Sequence, residues 1–80
     1  MVDAVEERFG IEIPDADAER LVTVGMLHAY VWQVLQRQQR QDWMYAQAAD
    51  EVRRLTAAQL GVDIRRVQLD SHFVEDLGLD

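Results

Sequence analysis

Eighty residues make one small domain, a size at which the core is modest and stability marginal. With no cysteine, a disulfide framework, a thiolate metal site and a cysteine nucleophile are excluded, and no apolar run approaches the ~20 residues of a membrane span. Fifteen acidic residues against eight basic ones, all of them arginine, give a net charge of −7, which argues against nucleic-acid and anionic-membrane partners and favours basic ones; the plain alternative is that acidity keeps a small protein soluble.

Val2, Val5 and Phe9 recur at helical spacing, so residues 1–9 read as a helix, entered without an N-cap and stopped by Gly10. Ile11-Glu12-Ile13 is an extended connector, because Pro14 disfavours helical geometry at the residue before it. Asp15 is placed to cap a short turn over Ala16–Leu21. Asp15, Asp17 and Glu19 alternate as in a calcium loop, but the glycine and distal glutamate of such a loop are missing. Thr23 is the next N-cap, and Val24, Leu27, Val31, Val34 and Leu35 form an apolar stripe with His28 and Tyr30 off its centre. The helix is expected to run into the Gln-Arg stretch Gln36–Gln41, whose residues are good helix formers.

Asp42 can cap a further helix that ends at Gly61. Residues 62–80 read as a loop anchored by Ile64, Val67, Leu69, Phe73, Val74 and Leu77, with Asp70 or Ser71 capping one turn. Between Gly25 and Gly61 there is neither glycine nor proline. This stretch is either two helices parted near Gln41-Asp42 or one helix of about 35 residues, roughly 50 Å long. A single rod could bury its stripes only against a second copy, by exchange of equivalent elements.

Chemistry-bearing residues are sparse. Ser71 is the only serine, in Asp70-Ser71-His72, where consecutive residues cannot converge as a hydrolytic triad and a loop or capping role is expected. His28 and His72 make a metal site only if folding joins them to carboxylates; no metal is expected. Trp32, Trp43 and Tyr45 flank the linker, where they pack joined helices or form an aromatic dimer contact.

Two stretches resemble acyl carrier proteins. Val5–Asp15, with Ala18-Glu19-Arg20-Leu21 and Thr23-Val24, is similar to the end of that family's second helix, its connector, its short third helix and the start of its fourth. Val52–Asp80, notably Gln59-Leu60-Gly61-Val62 and Phe73-Val74-Glu75-Asp76-Leu77-Gly78, is similar to the family's first helix and the long loop before the Asp-Ser-Leu attachment motif. The halves stand in the reverse of the family's order. The resemblance therefore implies an all-α, acyl-carrier-like bundle of three main helices and one short one, with circularly permuted connectivity. Residues 1–38 would be its C-terminal half, 44–80 its N-terminal half and 36–42 the linker, within a single domain over 1–80. A helix-swapped dimer is the alternative to a monomer. A window cut from a longer polypeptide would give the same order of halves.

The family's cofactor is 4'-phosphopantetheine on the motif serine. Here the motif flank Asp76, Leu77, Gly78, Leu79 and Asp80 is present and the acceptor serine is absent. The resemblance implies an acyl-carrier-type module of fatty-acid or polyketide metabolism, not an enzyme, that carries acyl groups only if a serine adjoins Asp80 or Met1 in the native protein. Asp3, Glu6 and Glu7 would meet basic patches of acyl-processing enzymes or of a phosphopantetheinyl transferase. The alternative is a non-carrying acidic interaction or dimerisation module, and a third is a coiled-coil adaptor on residues 26–60, disfavoured because the stripe is not a sustained heptad. A cytoplasmic location, without nucleic-acid or membrane partners, is expected.

Overall fold

A computed structural model describes residues 1–79. Its elements are α1 (Val2–Phe9), the single turn α2 (Asp15–Ala18), α3 (Val24–Arg37), α4 (Tyr45–Leu60) and a 3₁₀ turn at Ile64–Arg66. The fold is all-helical, as expected, and among the described residues there is no strand, only an isolated bridge between Thr23 and His72. No helix is long and apolar enough to cross a membrane.

The apolar spacing of α1 buries Val5 and Phe9 completely. Gly10 stops the helix in the left-handed region at φ 66°, and the Ile11 N–H donates back to the Glu6 carbonyl at 3.1 Å. The connector then alternates as an extended segment should, with Ile11 and Ile13 inward and Glu12 outward. Asp15 does not cap α2. The Pro14 carbonyl takes the Asp17 and Ala18 N–H groups instead, which leaves Asp15 inside the first turn. Thr23 caps α3 as expected, its Oγ1 accepting from the Met26 N–H at 3.1 Å.

The stripe on α3 is wider than its aliphatic residues. His28 is buried with Val24, Leu27, Val31, Val34 and Leu35, correcting its placement off the centre. The helix also stops earlier than its composition suggests. The Gln39 N–H donates to Gln36 and the Arg40 N–H to Leu35, each at 3.0 Å, while Gln39 adopts φ 55°. These are the two bonds of a Schellman end, so the unbroken helix is not what this chain forms. Its longest dimension is 33 Å, well short of the ~55 Å that a helix over 24–60 would need. Asp42 does not cap α4. Its carboxylate pairs with Arg40, and the Met44 N–H that begins the helix is taken by the Gln47 side chain at 3.2 Å.

α4 returns against α3, its principal neighbour, through the small residues Ala48, Ala49, Val52, Thr56 and Ala57. Its C-terminus repeats the same ending, with Gly61 at φ 68° and the Val62 N–H on the Ala57 carbonyl. Asp63, rather than Asp70 or Ser71, caps the 3₁₀ turn, by accepting from the Arg65 N–H at 2.8 Å. Arg53 on α4 pins the following loop, reaching the carbonyls of Val67 at 2.6 Å and Ile64 at 3.2 Å. Of the expected loop anchors, Val67 and Phe73 are buried and Ile64 and Leu77 half-buried. Leu69 and Val74 are exposed, at 42% and 66%, because backbone bonds dictate which way the loop faces. Leu69 and Ser71 give their carbonyls to the Gly25 and Val24 N–H groups, and the Phe73 N–H donates to Val22. The loop thereby caps the first turn of α3.

Candidate functional site

Residues 1–3 are far in sequence from Phe73, Val74 and Leu79 and adjacent to them in space. Met1, with Val2 and Asp3 of α1, lines one open cleft of about 380 Å³ together with Phe73, Val74 and Leu79 of the loop. Ala18, Leu21 and Leu27 form its floor. A second cleft of about 400 Å³ continues past Leu21, Phe73 and Val74 to Val22, His72 and the acids Glu19 and Glu75. The mouth of this region is apolar and its rim carries negative charge.

Asp76, Leu77, Gly78 and Leu79 are held by local bonds and by packing. Asp76 accepts from the His72 backbone N–H at 2.8 Å, and that bond holds its carboxyl below the usual range, with the His72 ring adding to the effect at 3.3 Å. Leu77 and Leu79 pack against the core, and Gly78 turns the chain at φ 70°. Asp80 lies outside the described residues. Ser71 is not available for attachment. It is buried, and its hydroxyl accepts from the Gln68 N–H at 3.1 Å.

Asp3, Glu6 and Glu7 do not share one environment. Asp3 is exposed at the cleft, and Glu7, one turn further along α1, is exposed at a separate groove. Glu6 is half-buried and committed to the fold, accepting from the Ile13 N–H at 2.8 Å. Glu6 and Glu7 border a broad groove of about 770 Å³ between α1 and α3, completed by Glu12, Asp17, Tyr30 and Arg37. The Tyr30 hydroxyl donates to Asp17 at 2.7 Å, and chiefly for that reason its phenol titrates above the usual range. Sequence reasoning missed this groove. The alternation of Asp15, Asp17 and Glu19 was the available signal, but it pointed to a metal loop rather than to an acidic wall.

The histidines do not meet. His28 is buried, its Nε2–H donating to the Tyr45 carbonyl at 3.1 Å, while His72 faces Asp76. Among the described residues, no three His, Asp or Glu side chains form a group suited to a metal ion. Tyr45 stands edge-on to both His28 and Trp32 and so packs the joined helices, whereas Trp43 lies 4.6 Å from the Phe9 ring of α1.

The chain is similar to acyl carrier proteins over part of its length. It is 52% identical over 31 residues to that of Helicobacter acinonychis, covering 39% of this chain and 40% of the relative. The Wolinella succinogenes protein is also 52% identical over 31 residues, 41% of its length, and that of Helicobacter pylori strain G27 is 48% identical over the same number. The chain thus spans about two-fifths of the length of these relatives. No family model and no solved structure matches it.

Proposed function

We propose that this chain is an acyl-carrier-type module of fatty-acid or polyketide metabolism whose two halves stand in exchanged order, and that it docks through acidic surface onto basic patches of acyl-processing enzymes. The observation that carries the reading is the convergence of residues 1–3 with Phe73, Val74 and Leu79 on one cleft. A permuted carrier requires that closeness. The partial similarity to acyl carrier proteins supports the same reading.

A carrier tethers its acyl group through 4'-phosphopantetheine on a serine, and supplies no catalysis itself. The residues in hand do not fit that attachment. The only serine is Ser71, which is buried in the loop with its oxygen engaged, so no transfer step is assigned to these 80 residues. Carrying requires a serine adjoining Asp80 or Met1 in the native polypeptide. Without one, the same surfaces make a non-carrying acidic interaction module.

Mass spectrometry after incubation with coenzyme A and a broad-specificity phosphopantetheinyl transferase distinguishes these. The chain as it stands gains no mass. The same chain extended by Ser-Leu after Asp80 gains one phosphopantetheine on the new serine. Failure of the extended chain to be modified sinks the carrier reading, and modification of Ser71 in the unextended chain overturns its assignment to the loop.

A further inference from the structure

We propose that residues 38–44 are a latched hinge, and that opening it converts the chain into a dimer in which residues 1–38 of one copy fold with residues 44–79 of another. This goes beyond the carrier reading and does not rest on it.

Three helices here end with the same six-residue backbone bond: the Ile11 N–H donates to the Glu6 carbonyl, the Arg40 N–H to Leu35 and the Val62 N–H to Ala57. Two of them, α1 and α4, place a glycine at the left-handed position, Gly10 at φ 66° and Gly61 at φ 68°. The third, α3, places Gln39 there at φ 55°. A β-carbon is disfavoured in that region, so the fold is stopped at its central hinge by the wrong residue. The sequence around it, Gln36-Arg37-Gln38-Gln39-Arg40-Gln41, is made of good helix formers and contains no glycine or proline. Local preference therefore favours continuing α3 into α4.

Opposing that preference is Arg40. Its guanidinium donates to the Phe9 carbonyl at the end of α1 and also grips Asp42, at 2.6 Å between Nη2 and Oδ2. One side chain thus ties the hinge to α1 and closes the hinge upon itself, with the cation set at the carbonyl end of a helix, where it is favoured. If the hinge straightens, these contacts are lost, while the packing of α3 on α4 and the Arg8–Glu51 pair re-form between copies. The balance between closed chain and exchanged dimer is then set by the hinge and by concentration. In the dimer, the cleft would take Met1 and Asp3 from one copy and Phe73, Val74 and Leu79 from the other, so each copy would contribute residues to the other's candidate site.

Light scattering after size exclusion, from about 10 μM to about 1 mM, measures the balance. Arg40→Ala removes the latch and is expected to raise the dimerisation constant about tenfold per hinge, hence about a hundredfold for a dimer that opens two. Gln39→Gly relieves the strained closed hinge and is expected to lower it about fivefold per hinge. Topology is read separately. The chain has no lysine, so Arg8→Lys places a single side-chain amine beside Glu51, where the Arg8 Nε now sits at 2.8 Å. Zero-length carbodiimide coupling then links two chains in an exchanged dimer, but closes within one chain in a monomer or an unexchanged dimer. Glu51→Gln in the same background abolishes the link.

Arg40→Ala that stays monomeric at about 1 mM overturns the proposal, as does a dimer whose coupling remains within one chain. If Arg40→Ala does not fold, the Arg8→Lys chain refolded from urea at about 1 mM replaces it. Cross-chain links, suppressed by Gln39→Gly, support the hinge, and a wholly monomeric product overturns it.

Discussion

At Gly25 the backbone comes so close to the loop that no side chain fits. Its N–H donates to the Leu69 carbonyl at 2.6 Å, and a β-carbon there would lie 2.8 Å from that same oxygen. In an ordinary helix, alanine would be worth about 1 kcal/mol more than glycine. Here the obstructing atom is backbone, so the clash wins. Gly25→Ala is expected to destabilise the fold by about 1–3 kcal/mol, and a urea midpoint equal to or above that of the parent refutes the close approach. Glu6 and Glu7 offer a second test at this scale, because adjacent acids have different duties. Glu6→Gln weakens a charge-assisted bond to the Ile13 N–H and should cost about 1 kcal/mol in thermal or urea unfolding. Glu7→Gln, fully on the surface, should leave stability within about 0.5 kcal/mol and weaken the salt-sensitive binding of a basic partner. Equal unfolding curves for the two variants would dismiss the structural role of Glu6. Thr23 was legible as a cap because its neighbours offer no competing acceptor. Asp15 and Asp42 were not, since a proline carbonyl and an arginine claim what those carboxylates would have done.

At the scale of elements, α1, α3 and α4 follow from apolar spacing and from the glycines at 10 and 61. The hinge between α3 and α4 does not, because it depends on Arg40 meeting a carbonyl from the far end of α1, a contact spanning 31 positions of sequence. The loop after α4 is legible for the same reason only in part. Its buried anchors Val67 and Phe73 stand out as apolar, but Leu69 and Val74 look alike in sequence and are exposed, Leu69 where its carbonyl is bound by Gly25 of α3 and Val74 where its carbonyl takes the Gly78 N–H. Among the described residues, Arg53 is the one side chain of α4 that bonds this loop's backbone, with its fork across the Ile64 and Val67 carbonyls. Arg53→Ala leaves both without that donor and should cost about 1–3 kcal/mol, loss of the alkyl stem included. Arg53→Lys should not restore it fully, because an ammonium cannot span two carbonyls in one plane. Hydrogen exchange localises the effect: the Gly25 and Phe73 amides should lose protection before those in the middle of α4. Uniform loss across both would mean that Arg53 does not pin the loop.

For the molecule as a whole, the apolar stripes were legible, and the closeness of residues 1–3 to Phe73, Val74 and Leu79 is a property of the fold they build. The acidic groove between α1 and α3 was not, because Glu7, Glu12 and Asp17 come together only after Pro14 and the short α2 turn the chain. That gathering of acid has a measurable consequence. With a net charge of −7, the folded chain repels itself at neutral pH. Screening with salt, to a length of about 3 Å at 1 M, should therefore raise the melting temperature at pH 7. Titration toward the isoelectric point near 4.6 removes the same repulsion. Against this stand carboxylates that the fold keeps ionised. Glu51 is the least exposed of them; Arg54, and after it Arg8, hold its carboxyl below the ordinary 4.5. A lowered folded pKa means that the native state binds fewer protons than the unfolded chain, so this stabilisation is complete above about 4.5 and disappears as pH falls through the depressed value. Glu51→Gln should accordingly melt below the parent at pH 6–7, with the gap closing in acid. The parent at low salt should be most stable on the mildly acidic side of neutrality, and high salt should flatten that maximum by lifting its neutral flank. A melting temperature that falls with salt at pH 7, or a Glu51→Gln gap that widens in acid, would reverse the sign of the electrostatics assigned here.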